Sequence, residues 1–151
     1  MLDAVQFISR ATGPCPFPIL APAGGESFAA SPGPTILVVE DDPLVRNMIV
    51  WELQDAGYVV IEATTGEAAL ALLREGRVDL LFTDIRLSEG LDGWSVAEAA
   101  RSLYPGLPVI YATGYTVEQP RVVPDGVFLH KPYRPSAVIR AAKSLGITPA
   151  G

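Results

Sequence analysis

Carboxylate, hydroxyl and lysine side chains stand at the ends of several short apolar runs of the sequence. Two acids follow the first run directly, and an acid, a threonine and a lysine end or follow later runs. If these runs are neighbouring parallel strands, their carboxyl ends meet at one edge of a sheet, where ligands bind in such folds. The side chains expected at this edge are Glu40, Asp41, Asp84, Thr113 and Lys131.

This set of side chains suits phosphoryl transfer. Carboxylates crowded in a partly desolvated cleft repel one another unless some are protonated or a cation holds them together. Mg²⁺ prefers oxygen ligands and commonly takes one or two carboxylates with a phosphate oxygen. A lysine then places a point charge on another phosphoryl oxygen, and a threonine hydroxyl can donate to a third. We therefore predict a Mg²⁺-dependent phosphoryl-transfer site.

Taken one at a time, the same residues have ordinary structural explanations. Thr113 could be an end-of-strand hydroxyl, Lys131 a surface lysine and Asp84 a loop acid. Asp42 stands immediately before Pro43, so we assign it to capping the N-terminus of the following helix. It is the joint placement of the other acids, the threonine and the lysine at one predicted edge that favours a site.

Short apolar runs alternate with helical patterns from residue 35 onward, which is typical of βαβ units around a parallel sheet. The first predicted helix has Val45, Met48, Ile49, Leu53 and Ala56 on one apolar face. The predicted strands are residues 35–39, 58–63, 78–83, 109–112 and 127–129. The predicted helices are residues 43–56, 66–75, 94–103 and 135–145.

The segment between the last two predicted strands, residues 114–126, leaves little room for a full helix. It contains Pro120 and Pro124, which interrupt helical hydrogen bonding. We therefore predict an α/β fold, with a doubly wound five-stranded parallel sheet and a shortened fourth helix region.

The N-terminal segment differs in composition from the rest of the chain. Residues 13–34 contain six prolines and a Gly-Gly pair, and such sequence buries too little apolar surface to offset its ordering entropy. We predict a disordered tail over residues 1–34, a folded domain over 35–146 and a short C-terminal tail over 147–151. Cys15 lies in the N-terminal tail without a His or Cys neighbour, so we expect no metal site there.

The charge and hydropathy patterns argue against two classes of function. Eleven Lys and Arg residues stand against seventeen acids, which disfavours binding to a phosphate backbone. No apolar run approaches the roughly 20 residues that a bilayer helix needs, and the N-terminus lacks the pattern of a signal peptide. We predict a cytoplasmic protein that binds neither nucleic acid nor membrane.

Several short motifs, in their order and strand-end positions, resemble the response regulator receiver domain of two-component systems. The resemblance covers residues 35 to about 146 and implies a flavodoxin-like strand order, 2-1-3-4-5. Residues 108–115, Pro-Val-Ile-Tyr-Ala-Thr-Gly-Tyr, further resemble the Pro-Phe-x-Phe-Ala-Thr-Gly-Gly/Tyr motif of a subfamily of stand-alone receivers. The matching motifs are Val38-Val39-Glu40-Asp41-Asp42, Phe82-Thr83-Asp84, Thr113 and His130-Lys131-Pro132-Tyr133.

The resemblance implies a chemical role for each matched residue. Asp84 would be the phosphoacceptor, and Thr113 and Lys131 would bind the phosphoryl group. It also implies a cis peptide bond before Pro132. In the loop after the phosphoacceptor, Ser88 stands where proline is usual and one residue is extra. The implied ligands of Mg²⁺ are Glu40, Asp41, Asp84 and the backbone carbonyl of Arg86.

The resemblance also implies which residues control the lifetime and the output of the phosphorylated state. The side chains of Arg86 and Tyr115 would flank the path of the hydrolytic water, and both are bulky. Phe128 matches the aromatic residue that moves on switching, although its place in an apolar strand is equally typical of a core residue. Phe128, Tyr133 and Arg134 are the predicted output contacts.

The predicted function is that of a single-domain response regulator. It would accept a phosphoryl group from a histidine kinase or a histidine phosphotransfer protein and signal to a downstream protein through contacts. It would not be an enzyme beyond its own phosphorylation and dephosphorylation. A degenerate receiver that only binds partners and a phosphate sink are the alternatives. A phosphatase of the haloacid dehalogenase kind is disfavoured, because that chemistry needs a second Asp where Arg86 stands.

Overall fold

The computed structural model of the protein describes residues 33–114 and 120–149. The five strands are β1 (Thr35–Val39), β2 (Val59–Ala63), β3 (Leu80–Asp84), β4 (Val109–Thr113) and β5 (Val127–His130). The four helices are α1 (Pro43–Asp55), α2 (Gly66–Glu75), α3 (Gly93–Leu103) and α4 (Pro135–Ser144). Most of the predicted N-terminal tail, residues 1–32 with Cys15, lies outside the described residues.

The strands form one parallel sheet in the order β2-β1-β3-β4-β5, which confirms the predicted fold and strand order. The chain runs from β1 outward to β2 and then returns to β3 on the other side of β1. The direction of winding therefore reverses between β1 and β3. A crevice opens at such a point beyond the carboxyl ends of the two strands.

Side chains alternate between the two faces of the sheet, and each face is covered by two helices. Leu37 and Leu81 belong to the core under α2 and α3, whereas Ile36 and Phe82 belong to the core under α1 and α4. Because β1, β3 and β4 lie between other strands and between helix layers, they are apolar almost throughout. This burial fixes the positions of the polar residues at their carboxyl ends.

Local sequence signals place the starts of three helices. The Asp42 side chain accepts hydrogen bonds from the amides of Leu44 and Val45 at 2.9 and 3.4 Å, which confirms its predicted capping role. Thr65 caps α2 and Asp92 caps α3 in the same way. Gly93 begins α3 close against β3: a Cβ there would overlap the carbonyl of the preceding strand's last residue.

The predicted elements agree with the structure to within two residues at each end, and one predicted face is wrong. Met48 was expected on the buried face of α1, but it is 58% exposed. Leu44 and Trp51 are also exposed, so α1 carries an apolar stripe on its outer face as well as its inner one. Periodicity identifies an apolar face, but it does not show how much of that face neighbouring helices cover.

The connector between β4 and β5 is described at Gly114 and over residues 120–126, and these residues contain no helix. The backbone amide of Val123 donates to the buried Tyr111 hydroxyl at 3.1 Å, and Arg101 donates to the Pro124 carbonyl at 2.5 Å. The connector is thus tied to β4 and α3. After α4, the Ile147 carbonyl accepts a hydrogen bond from the Tyr58 hydroxyl at 2.7 Å.

Candidate active site

Three carboxylates meet in the crevice between β1 and β3. Glu40 and Asp41 follow β1, and Asp84 is the last residue of β3. One oxygen from each lies within 4.8 Å of the others, so a single cation could contact all three. Glu40 and Asp84 are buried and Asp41 is half-buried. The structure therefore brings together the acidic residues that the sequence placed at one edge of the sheet.

Lys131, which follows the edge strand β5, reaches the same crevice. Its Nζ lies 3.1 Å from Asp84 Oδ2, and the Asp84 side chain is 8% exposed. The contact joins residues 47 positions apart, and it exists because β3, β4 and β5 are adjacent in the sheet. The Lys131–Pro132 peptide bond is cis, as the sequence predicted.

Burial and crowding raise the pKa of two of the acids, whereas hydrogen bonding lowers the pKa of the third. Burial, reinforced by the charge of Asp84, raises the pKa of Glu40 to about 7. Burial also raises the pKa of Asp84, and the ammonium of Lys131 only partly offsets it. The pKa of Asp41 is lowered despite its partial burial, because hydrogen bonds from Ser88 favour its carboxylate. Hydrogen bonding and the charge of Asp84 in turn raise the pKa of Lys131 against the effect of its burial.

The residues present fit a divalent cation. Glu40 Oε1 is buried without a hydrogen-bond partner among the described residues, while Oε2 accepts a hydrogen bond from the Asp42 amide at 3.1 Å. A buried carboxylate oxygen without a partner is costly unless a proton or a cation binds it. Three oxygen donors, partial burial and net negative charge are the properties of a Mg²⁺ site.

A cavity of about 370 Å³ opens beside the acids and can admit a small anionic group. Thr113, the last residue of β4, is buried at its wall, and the exposed Arg86 lies at its rim. The predicted roles of the two residues remain predictions. The cavity is lined by Asp84, Arg86, Thr113, Gly114 and Lys131.

The structure also reveals contacts that sequence reasoning missed. The Ser88 backbone amide donates to Asp41 Oδ2 at 2.9 Å, and Arg46 donates to the Glu40 carbonyl at 2.9 Å. The only signal for the first contact was the replacement of a usual proline by Ser88. The second had no signal, because an arginine in the first turns of a helix is common on exposed faces.

The predicted output residues lie in different environments. Phe128 packs against Trp94 and Tyr111, with ring centroids 5.9 and 5.5 Å apart, on the opposite side of the sheet from α1. The Tyr133 hydroxyl is buried without a hydrogen-bond partner among the described residues, and burial and the charges of nearby acids raise its pKa. Arg134 is exposed at the start of α4. Tyr115 lies outside the described residues.

A family model described as the response regulator receiver domain matches residues 36–143, which is most of the chain. The chain belongs to this family. The match contains all five strands except for Thr35, and it contains the acids, the threonine and the lysine of the crevice. Receiver domains are signalling modules of two-component systems, which confirms the resemblance drawn from the sequence motifs.

Individual receivers show the same similarity. The response regulator receiver protein CpdR of Brucella abortus is 34% identical over 105 residues, covering 65% of this chain and 84% of its own length. A receiver protein of Sinorhizobium medicae superposes with a TM-score of 0.71 at 32% identity, covering 75% of this chain and 94% of that one. The response regulator TrrA of Thermotoga maritima was solved with Mg²⁺ and BeF. It superposes with a TM-score of 0.67 at 30% identity, covering 74% of this chain and 98% of that one.

Other relatives are matched only in part. The chain spans 24% of the length of two Escherichia coli transcriptional regulatory proteins to which it is 33% identical over 115 residues. What is shared with them is thus the receiver part alone. Within residues 33–114 and 120–149, every helix falls short of the length and apolar character that a membrane span requires.

Proposed function

We propose that this receiver is a single-domain response regulator that accepts a phosphoryl group on Asp84 from a histidine kinase or a histidine phosphotransfer protein. The observation that carries the proposal is the Asp84 carboxylate, buried in the crevice between two further acids and 3.1 Å from the Lys131 ammonium. The extent of the match to CpdR supports a regulator built from a receiver alone. We also propose that it acts in the cytoplasm.

Mg²⁺ would be held by Glu40, Asp41, Asp84 and the Arg86 backbone carbonyl. TrrA, which shares the fold, was solved with this ion. Bound there, the ion would supply positive charge that offsets the repulsion among the acids and an incoming phosphoryl group.

Each residue of the crevice would have a different role in the transfer. An oxygen of the Asp84 carboxylate forms a bond to phosphorus while the bond from phosphorus to the donor imidazole nitrogen breaks. The electron pair of that bond leaves with the imidazole, which takes a proton from solvent. Lys131 neutralises charge on the transferred group, and the Thr113 hydroxyl, at the wall of the same cavity, donates to one of its oxygens. The reaction therefore needs Asp84 ionised.

The surface beside the crevice suits docking of the phosphodonor. Leu44, Met48 and Trp51 lie at intervals of four and three residues on α1 and are 75%, 58% and 67% exposed. α1 begins directly after the acids, and a largely apolar groove of about 450 Å³ runs from Met48 to Lys131. A partner helix packed on this stripe would lie next to Asp84.

Output would pass through β5, α4 and the connector. Movement of Thr113 and Lys131 toward a phosphoryl group would alter the space beside β4, where Phe128 packs. The surface formed by Tyr133 and Arg134 would change as a result. Amide exchange over residues 114–134 should therefore differ between the protein with beryllofluoride and the protein without it. Changes limited to the acidic crevice would place the output elsewhere.

Two related functions remain open to test. A phosphate sink would use the same chemistry without a downstream target. A degenerate receiver that only binds partners is disfavoured, because Asp84, Thr113 and Lys131 are all present and meet in one cavity. Arg86 and Tyr115 are bulky and are expected beside the path of the hydrolytic water. We therefore still predict that the phosphorylated state is long-lived.

The test is phosphoryl transfer to the full chain from a small-molecule phosphodonor, followed by intact-mass analysis. The wild type should gain one phosphoryl group with Mg²⁺ and none in excess chelator. Asp84→Asn should gain none, whereas Asp55→Asn, at the far end of α1, should be labelled as the wild type is. Labelling of Asp84→Asn, or of the wild type in chelator, would overturn the proposal.

A further inference from the structure

The loop that follows Asp84, residues 85–92, is held at three points. Its base is closed by a hydrogen bond from the Gly93 amide to the Ile85 carbonyl at 2.8 Å. On one side, the Leu91 amide donates to Glu67 Oε2 in the first turn of α2 at 3.2 Å. On the other side, the Ser88 amide donates to Asp41 Oδ2 at 2.9 Å. The loop is thus fastened between two carboxylates, of which only Asp41 belongs to the acidic cluster.

The contact with Ser88 occupies one side of the Asp41 carboxylate. Oδ2 accepts the Ser88 amide, and the carboxylate as a whole still lies within reach of a cation shared with Glu40 and Asp84. The Ser88 side chain also favours the charged form of this carboxylate, and together with the amide it lowers the pKa of Asp41 against the effect of its partial burial. A hydrogen bond from an amide held in the loop restricts the rotation of the carboxylate about its terminal torsion.

The same contact joins two separate parts of the proposed metal site. Asp41 lies in the turn after β1, whereas Arg86, whose carbonyl is a proposed ligand, lies in the loop two residues before Ser88. Fastening Ser88 to Asp41 therefore fastens this loop to the acid. Receivers of the commoner pattern have proline where Ser88 stands, and proline has neither an amide hydrogen nor a hydroxyl to offer.

We propose that Ser88 is a positioning residue of the Mg²⁺ site, which arranges Asp41 and the loop after Asp84 before the cation binds. The inference rests on the proposed function, since it concerns the cation of that site. Groups that orient metal ligands through hydrogen bonds commonly contribute 10- to 100-fold to affinity for the metal. The physical reason for this gain in affinity is preorganisation, because the ligands are already in place when the cation binds.

The experiment is calorimetric titration of the full chain with Mg²⁺ alone, without a phosphodonor. Ser88→Pro removes the amide hydrogen that Asp41 accepts, together with the hydroxyl, and should weaken Mg²⁺ binding about tenfold or more. Ser88→Ala keeps the amide but loses the hydroxyl that favours the charged form of Asp41, and it should weaken binding about threefold. Ser88→Thr keeps both the amide and a hydroxyl and should bind as the wild type does. Glu67→Gln weakens the other fastening of the loop and should leave Mg²⁺ affinity within about twofold.

The outcomes separate this inference from the proposed function. If the wild type binds Mg²⁺ and both Ser88→Pro and Ser88→Ala bind it equally well, Ser88 has no positioning role and the proposed function stands. Tighter binding by Ser88→Pro would mean that Ser88 competes with the cation, which also overturns the inference. A wild type that binds no Mg²⁺ would overturn both. If Ser88→Pro does not fold, the comparison of Ser88→Ala with Ser88→Thr decides alone.

Discussion

The acid side of the site (β1, β3 and residues 85–92) and the switch side (residues 120–134) are built differently. β1 and β3 each lie between two other strands, and every residue of β3 is buried. β5 pairs with β4 alone, and none of its four residues is fully buried. Local opening costs least where few apolar groups and few hydrogen bonds are buried. The three acids thus lie in the stable part of the sheet, whereas Lys131 and the proposed output residues lie at its weaker edge.

Truncating one aromatic residue on each side should give the largest difference between them. Phe82 is fully buried on the acid side, whereas Phe128 is half-buried on the switch side. Phe82→Ala should lower the free energy of unfolding by about 4 kcal/mol, and Phe128→Ala by about 2 kcal/mol, because less apolar surface is lost from the core. Urea unfolding measures both values. Equal losses would show that the two sides are equally well packed.

The acid side should also be the more sensitive to pH. Glu40 has a pKa of about 7 when folded and 4.5 as its ordinary value, so the folded protein holds this proton more tightly than the unfolded chain does. Its contribution to stability therefore falls as the pH rises from about 4.5 to about 7, by about 3 kcal/mol in all. Without Mg²⁺, the free energy of unfolding of Glu40→Gln should equal that of the wild type near pH 4. Near pH 8 it should be larger than that of the wild type by about that amount.

Urea unfolding at the two pH values measures this effect, and two further comparisons sharpen it. Added Mg²⁺ should stabilise the wild type near pH 8 and so reduce the difference in free energy of unfolding between it and Glu40→Gln. Glu75→Gln, exposed at the end of α2, should stay within about 0.5 kcal/mol of the wild type at both pH values. If the difference in free energy of unfolding between Glu40→Gln and the wild type does not change with pH, the explanation by burial is wrong.

On the switch side, one buried hydroxyl should hold the connector in place. The Val123 amide donates to the Tyr111 hydroxyl at 3.1 Å, and Tyr111→Phe removes the acceptor while keeping the ring. Loss of one such hydrogen bond should cost about 1 kcal/mol and raise amide exchange at Val123 about fivefold. Exchange in β1 and β3 should stay as in the wild type. Faster exchange throughout the sheet would mean that the connector is not an independent unit.

Removing residues 1–32 should have the smallest effect of all. These residues lie outside the described part of the chain, and their sequence predicts no contribution to the core. A chain beginning at Gly33 should unfold within about 0.5 kcal/mol of the full chain and accept a phosphoryl group on Asp84 equally well. Loss of several kcal/mol, or of labelling, would show that this segment packs on the domain.

The sequence alone determined the fold class, because alternating apolar runs of strand and helix length are a local property of the chain. It also predicted which polar residues lie together, since the carboxyl ends of parallel strands must share one edge. The Asp42 cap was likewise predicted, because it needs only the amides two and three residues later. In each case the deciding contacts are near in sequence or follow from the strand direction.

Only the tertiary structure decided the contacts between distant loops and the share of each face that is covered. Met48 fits the apolar face of α1 by periodicity, yet it is exposed, because the packing of other elements decides how much of such a face is covered. The contact of Ser88 with Asp41 spans 47 residues and depends on where two turns meet above the sheet. The pKa of Glu40 is also tertiary in origin, since it is raised by burial beside Asp84, and no pattern local to residue 40 carries that information.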